Sequence, residues 1–192
     1  MDHVFVSGNL ALDLVGSRKW RRSDPEELLD TPESLGTWVA QSGLLAAAPP
    51  CTPADLRDAL ALRESVYALV DAVLHGADPG TREPDLALVN TVARRPAVVP
   101  QLTEDGVRRD GGVPEVLASV ARAAIDALDP ASREQLKECA RPECTRVYLD
   151  RSRGRRRTWC GMAECGDRVK AAAYRERRRR GAVPASAHPS DG

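Results

Sequence analysis

Four of the five cysteines in this 192-residue chain form two closely spaced pairs near the C-terminus, and no other feature restricts the fold as strongly. The spacing is Cys139-x4-Cys144, then fifteen residues, then Cys160-x4-Cys165. Each pair can place two thiolates on one tight turn, and the loop between the pairs can bring both turns around a single ion. The pattern predicts a Zn²⁺ site with these four ligands, with disulfides or an iron–sulfur cluster as the alternatives. Cys51, the fifth cysteine, is interpreted as a bystander.

The predicted zinc ion is structural, because four protein ligands leave no coordination position open for a hydrolytic water. Between the pairs, residues 146–150 and 156–159 predict two strands of a hairpin, joined by a turn over residues 151–154. A helix is expected from about residue 166 to residue 180. The side chains expected beside the metal or on the inner face of this helix are Tyr148, Trp159, Val169, Ala172 and Ala173.

The rest of the chain predicts packed helices, because its apolar residues are mainly Leu, Val and Ala, and aromatic residues make up only 4%. Helices are expected over about 5–16, 31–43, 52–74, 85–94, 114–128 and 130–138, with a loop over 18–30 and a β-hairpin within 97–112. The fold class is therefore a mostly helical α+β protein. Its predicted parts are a helical domain with a small hairpin (1–136), a zinc finger of hairpin and helix (137–181) and a disordered tail (182–192).

Charge is distributed unevenly along the chain, although the formal net charge is zero. Residues 1–138 hold 14 Lys+Arg against 22 Asp+Glu (−8), whereas residues 139–192 hold 14 against 6 (+8). The basic segment predicts a nucleic-acid surface, and the alternative is a solvated charged face that complements the helix dipole. Its candidate phosphate-contacting residues are Arg151, Arg153, Arg155, Arg156, Arg157, Arg168, Lys170, Arg175, Arg177 and Arg178, with Arg179 and Arg180 completing the run.

The sequence gives no indication of a membrane protein, a secreted protein or an enzyme. No segment reaches the roughly 18 apolar residues of a membrane span, and the N-terminus lacks the basic region of a signal peptide. We therefore expect a cytoplasmic protein without a membrane partner. A Gly-rich phosphate loop, a nucleophile elbow and a His-Glu metal motif are all missing from the sequence, which gives no indication of an enzyme.

The C-terminal segment resembles the CGNR zinc finger. The resemblance rests on Cys139-Ala-Arg-Pro-Glu-Cys144, Tyr148-Leu-Asp150, Arg156-Arg-Thr-Trp-Cys-Gly-Met162 and Cys165-Gly-Asp-Arg-Val-Lys-Ala171. Asp167 replaces the Asn of the tetrapeptide that names the family. The resemblance implies zinc binding and DNA binding.

The N-terminal part resembles the ABATE domain, which usually precedes this finger. The matching segments are Gly8-Asn-Leu-Ala-Leu-Asp-Leu-Val15 and Leu62-Arg-Glu64, while Gly16-Ser17 departs from the Asn-Thr that often follows in the family. Together the two resemblances cover nearly the whole chain. They imply a bacterial transcription regulator of a family regarded as stress-induced.

Four polar or aromatic residues within apolar helices also look similar to family positions: Asn9, Asp13, Trp38 and Arg63. They could line a pocket for a small-molecule effector, with Arg63 paired to an anion or to Asp13. The alternative, which we favour, is an internal network that fixes helix packing.

The predicted function is DNA-binding regulation, with the helical domain serving homodimerisation or effector sensing. The alternative is a zinc-folded module that binds an acidic protein surface and does not contact DNA directly.

Overall fold

The computed structural model describes residues 2–181, in which seven α-helices alternate with three two-stranded antiparallel sheets. The helices are α1 Leu10–Val15, α2 Pro32–Gln41, α3 Pro53–Leu74, α4 Glu83–Ala93, α5 Val113–Leu128, α6 Pro130–Arg133 and α7 Asp167–Gly181. The strands are β1 Arg18–Lys19, β2 Glu26–Glu27, β3 Val99–Thr103, β4 Gly106–Asp110, β5 Leu136–Glu138 and β6 Val147–Leu149. A 3₁₀ turn covers Pro79–Thr81, and a π-helical turn covers Met162–Gly166. The fold class is mostly helical α+β, as predicted. In the part of the chain that the structure describes, no helix has the length and apolarity needed to cross a membrane.

The helix starts follow local sequence signals. Thr31 and Thr52 each accept a hydrogen bond from the backbone N–H three residues later and are followed by a proline in the first turn. This capping satisfies N–H groups that have no partner within the helix, and the fixed φ of proline suits the first turn. The predicted helices at 31–43, 52–74, 85–94 and 114–128 are therefore confirmed to within a few residues.

The core lies between α1, α3, α4 and α5: α3 and α5 contact each other and both α1 and α4, while α2 packs on α3. Leu12, Val66, Leu69 and Val120 are fully buried there. The helices place such residues on one face at spacings of three and four, so each helix buries one stripe against its neighbours.

Strands β5 and β6 join this core rather than forming a separate one. Leu136, Val147 and Leu149 belong to the same buried cluster as the helices, with β5 against α3 and β6 against α1. The Leu149 N–H donates to the carbonyl of Ser7 at 2.8 Å. We call residues 2–135 the body and residues 136–181 the finger; the two share one hydrophobic core.

The structure corrects the predicted strand pairing in the finger. Residues 156–159 form no strand, and β6 pairs with β5 in the register Leu136↔Leu149. The predicted helix over 130–138 ends at Arg133, because residues 136–138 are needed as the partner strand. The hairpin thus encloses the first cysteine pair, and the Cys139 N–H donates to the Arg146 carbonyl at 3.0 Å.

The predictions for the hairpin within 97–112, the loop over 18–30 and the C-terminal segment have different outcomes. The hairpin within 97–112 is confirmed as β3–β4, and the predicted loop over 18–30 contains the short β1–β2 ladder. Ala172 was expected to face inward but is exposed, because α7 packs little against the rest of the described chain. The side chain of Ala173 and the predicted disordered tail at 182–192 lie outside the described residues.

Candidate metal centre and basic surface

The two cysteine pairs converge on one point. The Sγ atoms of Cys139, Cys144, Cys160 and Cys165 all lie within 4.8 Å of one another. The Cys144–Cys160 and Cys160–Cys165 sulfur separations are 3.9 and 3.6 Å. Four sulfurs about 2.3 Å from a central zinc ion form a tetrahedron with edges of about 3.8 Å. The donor set therefore fits a single tetrahedral ion.

The alternatives fit this geometry less well. A disulfide needs sulfurs about 2.05 Å apart, and all five cysteines are free thiols. An iron–sulfur cluster distributes its thiolates over several irons, whereas these sulfurs surround one point. The four-cysteine cluster is suited to Zn²⁺, as predicted.

Each cysteine pair is held by a different local structure. The first pair lies on the β5–β6 connection, where the Cys144 N–H donates to the Arg141 carbonyl at 2.9 Å. In the second pair, Cys160 precedes the π-helical turn and Cys165 lies on it, where the Cys165 and Gly166 N–H groups both donate to the Gly161 carbonyl at 3.0 Å.

The thiols interact strongly with one another. Hydrogen bonds from the Cys144 and Cys160 thiols lower the pKa of Cys139 well below its ordinary value. Hydrogen bonds with Cys139 and Cys144 raise the pKa of Cys160, and its hydrogen bond with Cys139 raises that of Cys144 to about 12. A negative charge on one thiolate therefore disfavours ionisation of the neighbouring thiols. A divalent cation supplies the charge that lets all four sulfurs ionise together.

Tyr148 and Arg157 support the centre from one side. Tyr148 is fully buried against the cysteines, as predicted, and Trp159 packs on the same cluster. The Arg157 guanidinium stacks 4.2 Å from the Tyr148 ring centre and donates to the Trp159, Val6 and Cys160 carbonyls. Its donors are thus used inside the fold, which leaves Arg157 poorly placed for the phosphate contact that the sequence suggested.

Asp150 holds the loop between the cysteine pairs and was not singled out as a site residue. Its buried carboxylate accepts hydrogen bonds from Lys137 Nζ at 2.7 Å, from the Ser152 hydroxyl at 2.6 Å and from the Arg157 N–H at 3.0 Å. Burial alone would raise its pKa, but these hydrogen bonds lower the pKa below its ordinary value. The sequence offered two signals for this residue: its place in the family-like segment Tyr148-Leu-Asp150 and its position before a turn that contains Gly154.

Most of the other basic residues of the finger lie on its surface, whereas Arg146 is buried and Lys137 and Arg141 are half-buried. Those with exposed side chains are Arg151, Arg153, Arg155, Arg156, Arg168, Lys170, Arg175, Arg177, Arg178 and Arg179; the Arg180 side chain lies outside the described residues. Arg155 pairs with Glu134 at 3.4 Å. Arg156 and Lys170 line one hollow of about 550 Å³, which joins the loop to α7.

The four residues considered for an effector pocket each have a role within the fold. Asn9 caps α1 and donates to the Ala123 carbonyl at 2.8 Å. The Asp13 carboxylate accepts the Val6 and Ser7 N–H groups at 3.0 Å, and burial raises its pKa. Trp38 is buried in the core against Phe5.

Arg63, the fourth of these residues, is buried and has a different partner from the one considered. Its guanidinium pairs with both carboxylate oxygens of Glu27, at 2.5 and 2.7 Å, and with Glu64 at 2.8 Å. The pairing of Arg63 with Asp13 was therefore wrong. These contacts favour the packing network over the pocket.

The architecture defines a class of protein: a helical body joined to a four-cysteine zinc finger. The family model for the CGNR zinc finger matches residues 135–178. The model for ABATE, described as "Putative stress-induced transcription regulator", matches residues 8–130, which is more than half of the chain. The chain belongs to the ABATE family and carries a CGNR zinc finger. Neither match is to an enzyme family. Among curated proteins, none matches the chain.

Proposed function

We propose that this protein is a cytoplasmic, DNA-binding regulator of transcription. In this proposal Cys139, Cys144, Cys160 and Cys165 bind Zn²⁺, and the metal holds the finger in the shape that meets DNA. The body, corresponding to the predicted domain 1–136, serves dimerisation or effector sensing. The observation that carries the proposal is an arginine-rich loop and an arginine-rich helix, both exposed on one metal-suited scaffold.

Helix α7 is the element that we propose meets the DNA. Arg168, Arg175 and Arg179 follow one another at spacings of seven and four, so they share one face of the helix. The small residues Ala171 and Ala172 line a hollow with Arg168 and Arg175, which allows close approach to the sugar–phosphate backbone. Arginine binds phosphate through two parallel hydrogen bonds, so this face is suited to a polyanion.

The experiment is a duplex-binding titration by fluorescence anisotropy across a salt series. Each phosphate contact adds about 0.9 to the slope of log affinity against log salt. We expect Arg175→Gln and Arg156→Gln each to weaken binding on all sequences and to reduce the slope by about one. Arg57→Gln, an exposed arginine on α3 of the body, is the matched control and should change neither quantity.

A second candidate function is supported by the charge distribution. The acidic body and the basic finger carry opposite charges, so the finger of one copy could bind the body of another. This function would be favoured if the zinc-loaded protein showed no DNA binding at low salt while sedimentation showed self-association that salt disrupts.

A further inference from the structure

Helix α7 carries a second exposed face, beside the one whose arginines we propose contact phosphate. Val169 is half-buried, while the residues from Lys170 to Arg179 whose side chains the structure describes are exposed. The helix therefore packs through the side that carries Val169, mainly against the π-helical turn that precedes it. At about 100° per residue, four residues lie within about 40° of the point opposite Val169. We call them the outer face: Asp167, Ala171, Tyr174 and Arg178.

Two rows of basic residues flank the outer face. On either side of the helix they lie about 80–120° from Val169. One row is Arg168, Arg175 and Arg179, and the other is Lys170 and Arg177. The second row continues into the loop between the cysteine pairs, because Lys170 and Arg156 line the same hollow. Helix α7 therefore presents positive charge along both of its flanks.

The outer face between these rows is chemically mixed. Its side chains are a carboxylate, a methyl group, a phenol and one guanidinium. Tyr174 is 56% exposed and is the single aromatic residue in the sequence of α7. A phosphate group gains little from an aromatic ring and is repelled by the Asp167 carboxylate. The edges of base pairs, by contrast, display hydrogen-bond donors, acceptors and the thymine methyl group side by side.

A helix with two basic flanks fits the major groove of duplex DNA. The groove is about 12 Å wide and a helix with its side chains is about 10–12 Å across, so the phosphates of both strands lie beside the flanks. The 15 residues of α7 extend over about 22 Å at 1.5 Å per residue. Tyr174 and Arg178 are about 6 Å apart along the helix axis, which is close to two base steps of about 3.4 Å.

We propose that the outer face of α7 reads base pairs in the major groove of duplex DNA. Arg178 donates two hydrogen bonds to O6 and N7 of a guanine, and the Tyr174 ring contacts a thymine methyl group. This inference rests on the proposed function and adds sequence specificity to it, because the flanking rows bind phosphate on any sequence and the outer face selects the sequence. An RNA duplex does not fit this arrangement, since its major groove is too narrow for side chains to read.

The test begins with selection of duplexes from a random pool by the zinc-loaded full-length protein. Anisotropy titrations then compare the enriched duplex with a scrambled duplex of equal length, and the ratio of the two affinities measures sequence discrimination. We expect Arg178→Gln and Tyr174→Ala each to lower this ratio about 5- to 150-fold, the effect of losing one base contact. Tyr174→Ala removes no charge, so the slope of log affinity against log salt should keep its wild-type value.

Arg175→Gln is the matched control for Arg178→Gln, because each variant loses one exposed arginine of α7 and one positive charge. Arg175→Gln should weaken binding to both duplexes equally and leave the ratio unchanged. Alanine and glutamine both favour helix, so α7 should persist in all three variants. Zinc content and circular dichroism check this for each of them.

Base analogues identify the atoms that are read. In the enriched duplex, 7-deazaguanine replaces one guanine at a time and removes its N7 acceptor, and uracil replaces one thymine at a time and removes its methyl group. At one guanine the replacement should weaken binding by the wild type but not by Arg178→Gln. At one thymine it should weaken binding by the wild type but not by Tyr174→Ala.

The outcomes separate this inference from the proposed function. Salt-dependent binding of all duplexes without an enriched sequence would overturn the inference and leave the proposed function standing. Unchanged discrimination in Arg178→Gln and Tyr174→Ala, or equal loss of discrimination in Arg175→Gln and Arg178→Gln, would also overturn it. Equal or tighter binding of an RNA duplex of the same sequence would do the same. Absence of duplex binding at low salt would contradict the proposed function itself, and the base-reading face with it.

Discussion

At the scale of single residues, position decides what a side chain does. Cys51 and Cys144 are chemically identical, yet Cys51 donates to the Pro49 carbonyl beside α2 and Cys144 lies among three other sulfurs. Burial raises the pKa of Cys51, which keeps it a neutral thiol at physiological pH. The same contrast holds for Arg157, whose donors are used inside the finger, and its exposed neighbour Arg156.

The ligand assignment is tested with Cys144→Ser. A serine hydroxyl is a poor zinc ligand, so we expect zinc to fall well below one per chain and hydrogen exchange in β6 to accelerate. Elemental analysis and amide exchange measure the two effects. Cys51→Ser is the control and should keep full zinc. One zinc ion per chain in Cys144→Ser would show that Cys144 is not a zinc ligand.

The buried ion pair gives a prediction about stability. Arg63→Met removes a guanidinium that is 2% exposed and leaves Glu27 without its bidentate partner. Breaking a buried pair costs about 3–5 kcal/mol, and we expect about 3 kcal/mol because Glu27 is partly exposed. Glu26→Gln removes only the surface pair with Lys19 and should cost less than about 1 kcal/mol. Urea unfolding of the zinc-loaded protein measures both losses of unfolding free energy. Equal losses for the two variants would contradict a larger contribution from the buried Arg63–Glu27 pair.

At the scale of elements, the hairpin β3–β4 differs from the rest of the body. Every residue of β3 is exposed, and Leu102 and Val107 face each other across the ladder without a covering layer. Two strands alone are marginally stable in water. The helices, by contrast, owe their stability to buried stripes against neighbours.

This difference predicts unequal costs for similar substitutions. Leu102 is 87% exposed and Leu117 on α5 is 2% exposed. Leu117→Ala should lower the free energy of unfolding by about 2–5 kcal/mol, while Leu102→Ser should change it by less than about 0.5 kcal/mol. A large loss for Leu102→Ser would show that the hairpin is covered in solution. Sedimentation of the same variant would then show whether a second copy covers it.

At the scale of the whole molecule, body and finger form one packed unit, although two family models divide the chain near residue 130. Strands β5 and β6 insert their side chains among the helices. Residues 16–29 add polar contacts, because Arg22 pairs with Glu138 at 2.8 Å and Arg21 contacts Thr145. Movement of the finger would therefore change the body as well.

Removing the finger should consequently destabilise the body. A fragment of residues 1–135 lacks Leu136, Val147 and Leu149, and each buried side chain contributes roughly 1.5–3 kcal/mol. We expect a loss of several kcal/mol and a lower denaturation midpoint, measured by urea unfolding against the zinc-loaded full chain. Equal stability of the fragment and the full chain would show that body and finger are independent.

The sequence by itself determined the features that depend on neighbouring residues. Thr-Pro starts and apolar spacing located the main helices, and the paired cysteines located the metal centre, because capping, periodicity and ligand spacing are local. Only the tertiary structure decided which strand pairs with β6, which acid binds Arg63 and which body carbonyl accepts a hydrogen bond from Arg157. Those contacts join residues far apart in the chain. For example, Glu27 and Arg63 meet only because β2 and α3 share the core, so no local pattern could have specified them.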